Sequence, residues 1–132
     1  MTQYFVKPED VETQVFDWGN LKWFSSPRVT EAQKFSMGVV LLKPGEGHAT
    51  HAHPGTEEIL YVVSGVGEQT VAGEKADLEP GMLVFIPEDI EHSTFNTGWE
   101  TLKLVAIYAP PGPEEALREA PDCNVLSPGE LP

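Results

Sequence analysis

The chain has 132 residues with 21 acidic and 8 basic side chains, a net charge of −13, and a 40% hydrophobic composition. That length suits one domain with a packed core, and the acidic balance, with no basic cluster, excludes nucleic acid and anionic membrane as partners, since phosphate recognition needs grouped Lys and Arg. A single cysteine, Cys123, excludes an internal disulfide, and no apolar run approaches the roughly twenty residues of a membrane-spanning helix, so the expected location is the cytoplasm.

The first predicted element is a hairpin. Val15–Trp18 and Leu21–Phe24 flank Gly19-Asn20, which suits a tight turn. Its tryptophans, Trp18 and Trp23, are expected to cover an open sheet face or a dimer contact rather than to meet a ligand. Short runs rich in Val, Ile, Leu, Phe and Tyr follow at Phe35 to Leu42, Glu58 to Val63, Met82 to Ile86 and Leu102 to Ala109. Their length and their bounding turn residues predict strands. Pro44-Gly45 ends one, Ala72-Gly73 joins two, and Pro80-Gly81 starts another. In the last run Tyr108 shares a face with Leu102, Leu104 and Ala106. Short strands at near-regular spacing predict an all-β sandwich or barrel.

The barrel, with its N-terminal hairpin, is expected to occupy residues 1–109. Residues 110–132 hold six of the twelve prolines and read as a tail lying on the barrel or partly disordered. Pro113 at a first helical position, Glu114 and Glu115 in the first turn and Pro121 beyond the end allow one short helix there.

The chain has four histidines, His48, His51, His53 and His92. His51 and His53 are two apart, so on extended backbone both imidazoles point to one side. Glu58 opens the next apolar run, in phase with Leu60 and Val62. A carboxylate entering a core needs a partner, and a metal ion would supply one. Paired histidines alone are commonplace in exposed loops, so the flanking residues decide the reading.

Those residues form two patterns. Gly45, His51, His53, Glu58 and Gly65 fit G(X)5HXH(X)3–4E(X)6G, and the six residues before Gly65 select Glu58 over Glu57. Gly81, Pro87, His92 and Asn96 fit G(X)5PXG(X)2H(X)3N, with Asp89 standing where that pattern has glycine. In this order, fifteen residues apart (Val66 to Pro80), they resemble the two motifs of the cupin superfamily, in its compact single-domain bacterial form. The resemblance implies a double-stranded β-helix, or jelly roll, with His51, His53, Glu58 and His92 as metal ligands. It gives Asn96 a structural role and leaves His48 without a counterpart, as an exposed loop residue. Asp tolerates left-handed backbone, so Asp89 threatens the fold little.

Three imidazoles and one carboxylate leave an octahedral divalent ion two open positions and suit Fe, Mn, Ni, Cu or Zn. Three function classes follow: a metal-dependent oxygenase acting on a small organic substrate, a metal-dependent sugar or uronate isomerase or lyase, and a non-catalytic module that binds a small metabolite. A homodimer is expected through the aromatic hairpin.

Overall fold

The structure, a computed structural model, describes residues 2–132. It is a two-layer antiparallel sandwich. The strands are β1 (Thr13–Phe16), β2 (Gly19–Ser25), β3 (Ser36–Leu42), β4 (Glu57–Ser64), β5 (Gly67–Val71), β6 (Glu74–Leu78), β7 (Leu83–Ile86), β8 (His92–Phe95), β9 (Leu102–Ala109) and β10 (Asn124–Leu126). One sheet has the order β10-β1-β2-β3-β9-β4-β7 and the other β6-β5-β8. Two short α-helices, α1 (Pro27–Thr30) and α2 (Pro113–Arg118), and a single 3-10 turn at Pro8–Asp10 complete the described residues. No helix among the described residues is long and apolar enough to cross a membrane.

Period-two alternation sorts the side chains. On β9, Leu102, Leu104, Ala106 and Tyr108 are buried, and on β4 Glu58, Leu60 and Val62 are buried. Register sets these in rows: Val62 opposite Leu104, Leu60 opposite Ala106, Glu58 opposite Tyr108. The interior therefore runs from aliphatic at one end to titratable at the other. The aliphatic end, with Leu42, Val62, Leu78 and Leu102 fully enclosed, supplies about 1.5–3 kcal/mol of stabilisation per side chain. Asn96 is also wholly buried there. Its amide donates to the carbonyls of Leu42 and Glu100, and its side-chain oxygen accepts from the Gly98 N–H.

The hairpin turns at Asp17-Trp18, two residues earlier than Gly19-Asn20. Gly19 is needed elsewhere. It opens β2 at φ 149°, where any Cβ would collide with the Leu41 carbonyl of β3.

The tail lies on the barrel. Pro113 begins α2, with Glu114 and Glu115 in its first turn. Arg28 and Arg118 clamp it with paired hydrogen bonds to Glu115 and Glu12. Glu114 is buried and accepts from the Ser36 hydroxyl and the Gly112 N–H. After α2 the chain adds β10 to the sheet edge, a strand the proline content had concealed.

Candidate metal centre

The segment between β3 and β4 carries His48, His51 and His53 and runs antiparallel to β8. The Gly45 N–H donates to the Asn96 carbonyl, the His48 N–H to Thr94, and the His51 N–H to His92. This zipper places His51 directly across from His92. His53 is fixed from the other side, its carbonyl accepting from the Asp89 N–H at 3.2 Å. Asp89 is left-handed at φ 64°, and its carboxylate accepts from the Gly55 N–H. It does what the motif's glycine allows and adds a tie of its own.

His51, His53 and His92 each offer a ring nitrogen within 4.8 Å of the others. The Glu58 carboxylate stands 3.4 Å from His53 Nε2 and 3.1 Å from His92 Nε2. All three of these atoms are buried without a hydrogen-bond partner, because the approach angles are wrong for one. Orphaned lone pairs converging from three sides are costly unless something sits between them. The tautomers agree. His51 Nδ1–H donates to the Ala49 carbonyl at 2.7 Å and His92 Nδ1–H to Ile90 at 2.9 Å, which leaves each Nε2 as the free donor atom. Nitrogen and oxygen donors in this arrangement fit a divalent transition metal.

Burial lowers the proton affinity of His51. Burial pushes the Glu58 carboxyl up, but His53 and His92 beside it outweigh that and hold it below its ordinary value. Burial likewise works against protonated His92, and the Glu58 carboxylate and Ile90 carbonyl reverse the direction.

These groups open into a cavity of about 240 Å³ between the sheets. Its walls correct three sequence expectations. Trp23 is buried inside it, its ring over Gly38 and 5.2 Å from the Tyr108 ring, and its indole N–H reaches Gln14. Trp18 also lines it, stacked on Phe16 at 4.7 Å. Neither tryptophan covers an outer face, because both side chains line the cavity. His48 is not an exposed loop residue either. It packs edge-on to Trp18 at 4.4 Å and lies 5.9 Å from the His51 ring. Burial first, then the neighbouring His51, lowers its pKa to about 4, so it stays neutral.

Tyr108 faces inward as expected, 5.0 Å from the His53 ring. Burial, and then Glu58 and Glu114, push its phenol well above the ordinary value. Leu117 of α2 closes the wall, a contribution no local pattern announces. Thr94 follows His92 on the inward face of β8, its hydroxyl donating to the Gln69 side-chain oxygen at 2.6 Å. Among the described residues no Lys or Arg lines the cavity.

Known proteins resemble this chain as follows. The family profile described as "Cupin domain" matches residues 38–108. Polyketide synthase CurC of Streptomyces cyaneus is 31% identical over 112 residues, covering 85% of this chain and 73% of that protein. Protein SchB of Streptomyces halstedii is 32% identical over 99 residues, covering 75% and 72%. Among solved structures, KdgF from a Halomonas species superposes with a TM-score of 0.74 at 22% identity, over 86% of this chain and 99% of that one, a likeness of fold.

Proposed function

The chain belongs to the cupin domain family, and from that footing we propose that it holds one divalent transition metal on His51, His53, Glu58 and His92 and acts as an oxygenase on a small, largely apolar aromatic or enolic substrate. The observation that carries this reading is the cavity wall. Apart from the four donors, its surface is mainly Trp18, Trp23, Leu60, Leu104, Ala106 and Tyr108, without a cation. A sugar or uronate needs a hydrogen-bond partner for most of its hydroxyls and a counter-charge for its carboxylate. A flat ring or enol with one oxygen-bearing edge needs neither.

The volume agrees. At about 240 Å³ the cavity falls below the roughly 300–1,000 Å³ of drug-sized sites, which leaves room for one ring or a short chain. The Streptomyces cyaneus relative supports the substrate class, since CurC carries polyketide synthase in its name and polyketides are rich in enols and diketones.

The chain's own groups have separate tasks. Trp18 and Trp23 grip an apolar ring from the β1–β2 side, and Leu117 shuts out water above it. The neutral His48 imidazole offers a hydrogen bond to a substrate oxygen without adding charge. Tyr108 stays protonated and presents a neutral phenol beside His53. A divalent ion held by these residues would supply Lewis acidity and, if redox-active, would relay electrons from the substrate to dioxygen, which is reduced at the substrate's expense.

The test is elemental analysis of protein purified without added metal, then oxygen uptake with catechols, acetylacetone and uronates. Uptake with an aromatic or enolic compound, absent in His92→Ala, is the expected result. Turnover of a uronate without oxygen would replace this reading with the isomerase one. Tight binding with no turnover would leave a binding module.

A further inference from the structure

A second cavity, of about 270 Å³, shares a wall with the metal cavity. Trp23 lines both, whereas α2 turns Leu117 to the metal cavity and Glu114, Glu115 and Arg118 to the second. Residues 10–14, the corner where β2 meets α1, and α2 enclose it.

Its floor is polar and buried, with Gln14, Ser26 and Glu114 at 4%, 2% and 3% exposure. Gln14 is committed: its amide donates to the Glu114 backbone carbonyl and its oxygen accepts from the Trp23 indole. The other two are not. Ser26 precedes α1, where a serine ordinarily caps the helix, yet its hydroxyl makes no capping bond. It has no other hydrogen-bond partner among the described residues. The Glu114 carboxylate accepts from only two donors, the Ser36 hydroxyl and the Gly112 N–H, and has acceptor capacity for about four. No Lys or Arg among the described residues pairs with it. A buried carboxylate without a cation, in one cavity with an unpartnered buried hydroxyl, calls for an occupant that supplies positive charge and N–H donors.

The rim agrees on the sign. Arg28 with Glu115, and Arg118 with Glu12, neutralise each other in side-on pairs. Asp10 and Glu114 are left over, so the cavity attracts a cation and repels a free anion. A metal ion does not fit, because the carboxylates do not converge. Among the described residues only His51, His53 and His92 form a three-donor cluster.

We propose that this cavity binds the ammonium group of a small amine or amino acid, seated on the Glu114 carboxylate and the Ser26 hydroxyl. An ammonium brings three donors and a full charge, which answers both groups. The size suits a ligand smaller than the roughly 300 Å³ and upward of drug-sized sites. The Nη1 groups of Arg28 and Arg118, unused by their carboxylate pairs, suit the carboxylate of an amino acid.

Calorimetric titration of the full chain with butylamine, 4-aminobutyrate and butyrate tests this. Both ammonium compounds are expected to bind with Kd below about 5 mM, and butyrate is not. Tighter binding of 4-aminobutyrate than of butylamine identifies an amino acid, and equal binding a simple amine. Glu114→Gln, which keeps an acceptor for Ser36 and Gly112, should weaken binding about tenfold or more. Should that variant unfold, Ser26→Ala removes no bond within the chain and should weaken binding about threefold. His92→Ala should leave binding unchanged, which separates this site from the metal centre. Absence of binding at about 20 mM, butyrate binding as well as the amines, or affinity indifferent to both Glu114→Gln and Ser26→Ala overturns the proposal.

Discussion

His51 and His92 face each other across an antiparallel bridge, each backbone N–H donating to the other's carbonyl, at 3.0 and 2.8 Å. Such a mutually bonded pair fixes the spacing of the two backbones, and the ring centroids settle 4.3 Å apart. Loss of either imidazole should therefore remove a donor that nothing nearby can replace. His51→Ala or His92→Ala is expected to lower metal content at least tenfold by elemental analysis, while His48→Ala leaves it intact. Full occupancy in His51→Ala/His53→Ala would sink the ligand set.

Acid should release the ion. Ligation requires neutral imidazoles, so protons compete with metal as pH falls through the histidine range near ~6.5. Half the bound metal is expected to leave below about pH 6, with more than one proton taken up per ion. Retention at about pH 4 would require a different donor set.

Metal-free protein should show a second acid effect, centred on His48. Its folded pKa of about 4 lies below the ordinary 6.5, so the unfolded chain binds the proton first. Stability is unaffected above that ordinary value and is lost as pH falls from it toward 4. His48→Phe, which keeps the packing on Trp18, is expected to flatten this part of the denaturant-midpoint profile. Identical profiles for the two proteins would remove His48 as the cause.

Tyr108 stands opposite Glu58 with its ring packed on Trp23 and His53. Tyr108→Phe keeps that packing and should cost under about 1.5 kcal/mol in urea unfolding. Tyr108→Ala leaves a cavity and should cost about 3–5 kcal/mol. Equal costs for the two would mean that the hydroxyl, not the ring, holds the site together.

Asn96 makes three hydrogen bonds inside the aliphatic end. Asn96→Asp exchanges its donating amide for an acceptor and leaves the Leu42 and Glu100 carbonyls facing it. A loss of about 3 kcal/mol or more is expected, with metal content per folded molecule unchanged. A neutral substitution would show that water replaces the amide there.

The sequence made some of this legible through simple periodicity. Leu102, Leu104, Ala106 and Tyr108 alternate cleanly, and the strand they form lies where the pattern puts it. Glu58, Leu60 and Val62 do the same, with Glu57 exposed. The convergence of His51 and His53 with His92 came from two motifs read together, not from either alone. The cavity wall was hidden because its parts are remote in the chain. Trp18, His48 and Leu117 come from a hairpin corner, a loop and a tail helix, and only tertiary packing unites them. The hairpin corner itself moved because a contact with β3, outside the local sequence, claimed Gly19. β10 has three residues, too few for any alternation to register.

The four donors are drawn from both layers of the sandwich: Glu58 from the large sheet, His92 from the small one, and the two remaining imidazoles from the strap between them. Parting the layers at this end therefore means breaking donor contacts on both sides at once. The persistence of a loaded site is then a matter of rates. A bound ion would therefore raise the barrier to parting the layers, so a loaded site is expected to slow unfolding. Substitutions in the cavity wall can alter what enters without touching that barrier, since Trp18, Trp23 and Leu117 lie outside the tie.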